Sequence, residues 1–245
     1  LPKTKITKDE AKKMINRLKN KGKRFKLSYD GQVLRIINLP KNYKDYPYIL
    51  ASFPNSYYEK KMWYTKQRTK NDLTPAKTAK LMSDEDKDLI CEKVKKNLEL
   101  RLNIDYRKSL TSDWKEELSN TYRDTSLNRS LNAYVKAAKA RKIVASSSQI
   151  VVDPSSLWTD KGGSSCYVRV YTKFRVKSGQ VPSAKSSLQN EVIYGSYTAL
   201  KNLSSKKTVI FMDEIKVNVS YTNGKMTSYG IDWGGDSLAD VIGNK

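Results

Sequence analysis

Residues 215–233, IKVNVSYTNGKMTSYGIDW, predict the architecture of the C-terminal half of this chain. Apolar and polar residues alternate on both sides of Asn223 and Gly224, the pair most favoured in a two-residue hairpin turn. The alternating apolar positions are Ile215, Val217, Val219, Tyr221, Tyr229, Ile231 and Trp233. The stretch therefore predicts two antiparallel strands joined by a tight turn.

The rest of the C-terminal half shows the same period of two. The predicted strands cover residues 143–152, 166–177, 190–201, 206–221 and 225–233. The side chains of the second strand that face away from its valines are those of Tyr167, Arg169, Tyr171 and Lys173. A sheet with one apolar and one polar face is typical of an antiparallel arrangement.

Helices are predicted before this sheet, at residues 8–20, from Ser83 to about residue 102, and at 112–122 and 126–141. Helices followed by a strand meander predict an α+β fold, with the helices packed on one face of a curved antiparallel sheet. The C-terminal half resembles cystatin-like and NTF2-like folds in layout, which implies nothing about activity.

Three parts of the chain are predicted from composition. Residues 1–64 contain a helix, a hairpin around Asp30 and Gly31, and a segment rich in tyrosine and proline. Residues 65–82 are lysine-rich and predict a polar linker, and residues 83–245 contain the later helices and the sheet.

The tyrosine-rich segment is the predicted ligand-binding region. Its aromatic residues lie between lysines, a pattern that can stack on sugars or bases while cations hold phosphates. The candidate ligand-binding residues are Tyr43, Tyr46, Tyr48, Tyr57, Tyr58 and Trp63. The alternative is that these tyrosines pack an irregular segment against the sheet, because tyrosine buries a large area and keeps a polar tip.

Composition points to binding and away from catalysis. The 245 residues include 47 Lys plus Arg, 25 Asp plus Glu and no histidine, for a net charge of +22. The absence of histidine removes the side chain most used in acid–base catalysis and metal binding. The spread of lysines is explained either as a solvated surface or, functionally, as attraction to a polyanion such as nucleic acid, wall teichoic acid or an anionic membrane face. No apolar run is long enough to span a bilayer.

The cysteines leave two alternatives open. Cys91 and Cys166 have no CxxC spacing and no histidine partner, so we expect no metal site and no cofactor. A helix packed on a sheet could bring the two sulfurs into a disulfide, or both could be buried thiols.

Catalytic motifs have simpler explanations. An SxxK at Ser112–Lys115, an SxN at residues 126–128 and a KSG at residues 177–179 follow the order seen in penicillin-binding proteins. The first two are too close to enclose that family's helical domain, and Ser112 is predicted to be a helix N-cap. Asp213 and Glu214 are adjacent in a strand and point to opposite faces. Asp232, Asp236 and Asp240 do not match a calcium-loop spacing.

A family resemblance is carried by residues 34–62, LRIINLPKNYKDYPYILASFPNSYYEKKM. This stretch resembles the region after the stalk in secreted Gram-positive proteins that have a copper-amine-oxidase-like N-terminal domain. The stalk itself is absent, and the resemblance implies export but no copper and no catalytic residues. The chain begins with Leu1, so we also expect that a preceding segment was removed.

Together these features predict a non-enzymatic, secreted or cell-surface binding protein of a Gram-positive bacterium. Its location would be extracellular or wall-associated, and its partner an anionic wall polymer or a surface protein. The alternatives are a nucleic-acid-binding protein, or a cell-wall enzyme that uses carboxylates or a Ser/Lys pair.

Overall fold

The computed structural model describes residues 26–29, 31–124, 128–179 and 208–244, together with Lys13. The predicted strand 190–201 lies outside the described residues, as does the predicted helix 8–20 apart from that one position. The described strands are β1 (Lys26–Leu27), β2 (Val33–Leu34), β3 (Ile104–Asp105), β4 (Val144–Thr159), β5 (Ser165–Ser178), β6 (Thr208–Thr222) and β7 (Lys225–Asn244). The described helices are a 3₁₀ turn (Tyr43–Asp45), α1 (Asn55–Glu59), α2 (Trp63–Gln67), α3 (Pro75–Leu81), α4 (Asp84–Leu102), α5 (Ser112–Ser119) and α6 (Asn128–Ala140).

A curled antiparallel sheet forms the centre of the fold, with the strand order β3-β4-β5-β6-β7. The predicted hairpin is confirmed: Thr222 pairs with Lys225, and both turn residues, Asn223 and Gly224, have positive φ angles of 51° and 75°. Positive φ at both positions matches the right-handed twist of the flanking strands. The α+β prediction is confirmed by helices that pack on this curved sheet.

Strand β4 extends seven residues beyond its predicted end at residue 152. Its register with β5 is interrupted between Asp153 and Trp158, where Pro154 cannot donate a ladder hydrogen bond. The Asp153 carboxylate there accepts hydrogen bonds from the Ser155 N–H at 2.9 Å and the Ser155 hydroxyl at 2.7 Å. This bulge bends the strand and contributes to the curl of the sheet, because bulges increase local twist.

The long helix α4 covers one face of the sheet, as predicted. Ser83 caps it by accepting a hydrogen bond from the Asp86 N–H at 3.0 Å. Its buried stripe consists of Ile90, Cys91, Val94, Leu98 and Leu102. This stripe packs in one core with Val168, Val170 and Phe174 of β5 and with buried side chains of α5 and α6. The predicted cap at Ser112 is wrong by one residue, since Thr111 accepts the capping hydrogen bond from Trp114.

The opposite face of the sheet is not polar throughout, which corrects the sequence prediction. Residues 38–67, which we call the aromatic segment, cover the middle of this face. The buried residues of this second core are Ile49, Leu50, Phe53, Tyr57, Tyr58, Met62, Val151, Tyr171, Ile210 and Met212. Burying a large apolar side chain contributes about 1.5–3 kcal/mol, so the segment is a packed part of the fold.

The predicted polar linker at residues 65–82 contains helix α3, which packs against β4. Thr78 is buried, and its hydroxyl accepts a hydrogen bond from the Thr159 N–H at 3.1 Å. The Leu73 N–H donates to the Thr159 carbonyl, also at 3.1 Å. Composition missed this helix because its surface is lysine-rich and its buried positions are Pro75 and Thr78.

The N-terminal hairpin forms with a longer turn than predicted. Leu27 pairs with Val33, and the Ser28 N–H donates to the Gln32 carbonyl at 2.9 Å. The loop therefore has three residues instead of two, and it ends at Gly31 with φ of 83°. A glycine in the left-handed region is typical of a three-residue hairpin loop.

Candidate binding surfaces

The six aromatic residues predicted to bind a ligand differ in how deeply they are buried. Tyr57 and Tyr58 are 1% and 0% exposed, so their rings belong to the second core. Tyr46 and Tyr48 are partly buried against the same core.

Two of the six aromatic residues remain available at the surface. Tyr43 is 41% exposed and Trp63 is 57% exposed. The packing alternative thus describes most of this set, and stacking on a ligand stays a prediction for these two residues.

Hydrogen bonds fix the buried tyrosines within the aromatic segment. The Tyr46 hydroxyl donates to the Tyr58 carbonyl at 2.9 Å, and the Tyr58 hydroxyl accepts from the Leu50 N–H at 2.9 Å. Burial, reinforced by the nearby Asp153 carboxylate, raises the pKa of Tyr57 and Tyr58 above the usual range of a phenol. Both side chains are therefore neutral at physiological pH.

A buried ion pair joins the aromatic segment to the sheet. Arg169 on β5 and Glu214 on β6 lie opposite each other, with Nε and Oε1 3.4 Å apart, and are 3% and 1% exposed. The Arg169 guanidinium also donates to the Tyr57 carbonyl and, at 2.6 Å, to the Lys60 carbonyl. Glu214 accepts from the Thr65 N–H at 2.8 Å and from its hydroxyl.

This pair is a structural anchor and not a pair of catalytic groups, because most of its hydrogen-bonding capacity is directed at the backbone of the aromatic segment. Arg169 lies on the face away from the valines, as the alternation of the strand predicted. The aromatic segment covers that face, which the alternation did not indicate.

A basic cleft of about 580 Å³ lies where the end of α6, the loop after β3 and the end of β5 meet. Its cationic side chains are Arg107, Arg141 and Lys142, and Tyr106 contributes an aromatic wall. These residues come from separate parts of the chain, so no local motif in the sequence could identify the cleft. The exposed lysines adjacent in sequence to its lining are Lys108, Lys139 and Lys177.

Gly179 allows the close approach that shapes this cleft. Its φ is +106°, and a Cβ atom there would lie 2.8 Å from the Ile143 Cα and 2.8 Å from the Lys142 carbonyl oxygen. The Tyr106 N–H donates to the Ile143 carbonyl at 3.0 Å, which brings the loop after β3 to the same place. The positions of the cationic residues are therefore fixed by backbone contacts.

One cation of the cleft is held by a carboxylate. Arg107 donates to Asp105 from Nε at 2.8 Å and from Nη2 at 2.6 Å. These hydrogen bonds, together with one from the Arg107 N–H, lower the pKa of Asp105 to about 2. Asp105 is thus ionised at physiological pH and neutralises one of the three lining cations.

Among the described residues, those of the candidate catalytic motifs show no shared site. Ser112 is exposed, and the Lys115 ammonium donates to the Asn132 side chain at 2.8 Å. Asp232 pairs with Lys216 at 2.8 Å. Ser126 and the side chains of Asp236 and Asp240 lie outside the described residues.

Cys91 and Cys166 are both buried thiols and are not joined in a disulfide. Of the two alternatives predicted from the sequence, a disulfide or two buried thiols, the structure has the buried thiols. Burial raises the pKa of the Cys166 thiol to about 12, which keeps it protonated. The sulfurs therefore give no support to an oxidising compartment.

Within the described ranges, no cluster of three or more acidic or cysteine side chains is positioned to hold a metal ion. None of the helices described here has both the length and the apolar character needed to cross a bilayer. Comparisons of the chain with protein-family models, with curated proteins and with solved structures found no match.

Proposed function

We propose that this is a non-enzymatic binding protein that associates with an anionic, phosphodiester-linked polymer of a Gram-positive cell wall. The observation that carries the proposal is the basic cleft with Arg107, Arg141 and Lys142 on a chain of net charge +22. Guanidinium groups bind phosphate oxygens in a planar, bidentate manner, and lysines add point charge around them. The wall location rests on the resemblance of residues 34–62 to secreted Gram-positive proteins.

Nucleic acid is the second candidate, and the two buried thiols favour it, since unoxidised cysteines are usual in reducing compartments. Its backbone offers the same phosphodiester chemistry as a teichoic acid. The long-range attraction of a polycation serves both polymers equally. The partner must therefore be decided by direct comparison.

The test is a salt titration of binding to purified wall teichoic acid and to single- and double-stranded DNA of equal phosphate content. The cleft variant is Arg141→Gln/Lys142→Gln, and the matched control is Lys77→Gln/Lys80→Gln on the exposed surface of α3. Each lost phosphate contact lowers the slope of log K against log salt by roughly 0.7–0.9.

We expect the cleft variant to lose a slope of about 1.4–1.8 with teichoic acid, and the control to keep the wild-type slope. Equal losses in both variants would mean that only diffuse charge acts, and would contradict a site at the cleft. Tighter binding to DNA than to teichoic acid would contradict the wall polymer and support nucleic acid as the partner.

A further inference from the structure

The turn between β6 and β7 contains Asn223 and Gly224, the only Asn-Gly pair in the sequence. Both residues are exposed, and their φ angles are 51° and 75°. The turn is closed by the pairing of Thr222 with Lys225, which leaves Gly224 outside the ladder. In the described part of the chain the Asn223 side chain forms no hydrogen bond, and a Cβ atom at Gly224 would meet no heavy atom within 4 Å. The Asn223 amide and the following backbone nitrogen are therefore open to solvent and unobstructed.

These two residues hold the reacting atoms of a cyclisation. The Gly224 nitrogen attacks Cγ of Asn223 and forms an N–Cγ bond, while the Cγ–Nδ2 bond breaks and ammonia leaves with the proton of the Gly224 N–H. The product is a succinimide ring, which water opens at either of its two carbonyl carbons. Opening at Cγ leaves aspartate, and opening at the backbone carbonyl carbon leaves isoaspartate. In sum an amide and water give a carboxylic acid and ammonia, with no change in oxidation state.

Glycine in the following position is what singles out this asparagine. Without a side chain, the glycine nitrogen is unshielded and the backbone on either side of it reaches conformations closed to other residues. Asn38 and Asn71 are also exposed, but they precede Leu39 and Asp72. They serve as internal controls in the same molecule.

We propose that Asn223 is a site of spontaneous deamidation, and that isoaspartate at this position opens the end of the sheet hairpin. Isoaspartate adds one carbon to the backbone, whereas a two-residue turn has a fixed length that sets the register of its strands. Aspartate is accepted in this type of turn, so that product lowers the net charge of +22 by one and keeps the turn. The proposal concerns the hairpin and does not depend on the polyanion partner.

The test is incubation of the full chain at pH 8, both folded and in urea, followed by peptide mass spectrometry and by labelling with an isoaspartyl methyltransferase. In the folded protein we expect Asn223 to convert about tenfold faster than Asn38 and Asn71 or more, which corresponds to a barrier lower by about 1.4 kcal/mol. Equal rates at the three asparagines would overturn the proposal. Conversion of Asn223 in urea but not in the folded protein would also overturn it, because the folded turn would then block ring closure.

The effect on the hairpin needs a control of equal charge. The deamidated fraction, isolated by cation exchange, is compared with Asn223→Asp, which carries the same charge on an unaltered backbone. In the isoaspartate form the amides of residues 219–229 should exchange about tenfold faster than in wild type, equivalent to about 1.4 kcal/mol of local opening. Asn223→Asp should exchange like the wild type. Equal exchange in the isoaspartate form and in Asn223→Asp would overturn the opening of the hairpin.

Discussion

Removal of the buried guanidinium at Arg169 should detach the aromatic segment from the sheet. In Arg169→Met the Glu214 carboxylate, 1% exposed, loses its cation, and the carbonyls of Tyr57 and Lys60 lose their donor. Breaking a buried pair by removing one partner costs about 3–5 kcal/mol. For a chain of this size that corresponds to a fall in Tm of roughly 6–20 °C.

The assay is urea unfolding followed by circular dichroism and by tryptophan fluorescence, with wild type and variant at equal concentration. Lys96→Met is the matched control, because Lys96 forms an ion pair with Glu117 at 2.6 Å in which both side chains are about half exposed. An exposed pair of this kind is worth about 0–1 kcal/mol. The variant Arg169→Met/Glu214→Leu should recover part of the stability, since no unpaired charge remains buried.

Hydrogen exchange gives a second readout for the same variants. From wild type to Arg169→Met, the exchange rate of the amides of residues 38–67 should increase more than that of the α4 amides. The reason is that the second core loses its polar anchor while the first core is untouched. A loss below 1 kcal/mol in Arg169→Met, or uniform acceleration of exchange, would refute the view that this pair holds the segment.

Four other predictions rest on the contacts described. In the folded protein at pH 8 the thiols of Cys91 and Cys166 should not react with dithiobis(nitrobenzoate). Both should react once the protein is unfolded in the absence of reductant, and no reaction after unfolding would indicate a disulfide. Since burial raises the pKa of Cys166 from 9.0 to about 12, its contribution to stability is complete below pH 9 and is lost as pH rises to 12. The fall in unfolding free energy over this window should therefore be smaller in Cys166→Ala, and equal slopes would contradict the shift. Gly179→Ala should cost about 1–3 kcal/mol in urea unfolding, because the added Cβ meets backbone at 2.8 Å. Gly163→Ala should cost less, because its positive φ of 65° strains the alanine but no atom lies within 4 Å of the added Cβ. Asp105→Asn should strengthen polyanion binding about twofold to fivefold by releasing Arg107 for phosphate, and unchanged affinity would argue that Arg107 does not contact the polymer.

Local patterns in the sequence were sufficient to predict the sheet hairpin and the long helix. The turn at Asn223 and Gly224 depends on two adjacent residues, and the start of α4 depends on Ser83 and the acidic residues after it. Such features are decided within a few residues, so periodicity and capping rules identify them.

Packing between residues far apart in the chain was not predicted from the sequence. The alternation of polar and apolar residues along its strand predicts that Arg169 faces solvent. Only the three-dimensional structure shows the aromatic segment lying over it. The basic cleft was missed for the same reason, since Arg107 and Arg141 become neighbours only when β3 pairs with β4. Whether a charge is buried depends on which other segment packs over it. The residue pattern of one strand carries no information about that segment.

The hydrogen bonds between Thr65 and Glu214 join residues 149 positions apart. During synthesis on the ribosome, Thr65 therefore emerges long before its partner is made. At translation rates of about 5–20 residues per second, the delay amounts to roughly 7–30 s. Throughout that interval the tyrosines and apolar residues of the aromatic segment have no sheet to cover them, so a nascent chain of this protein is a candidate client for a holding chaperone until β6 has emerged.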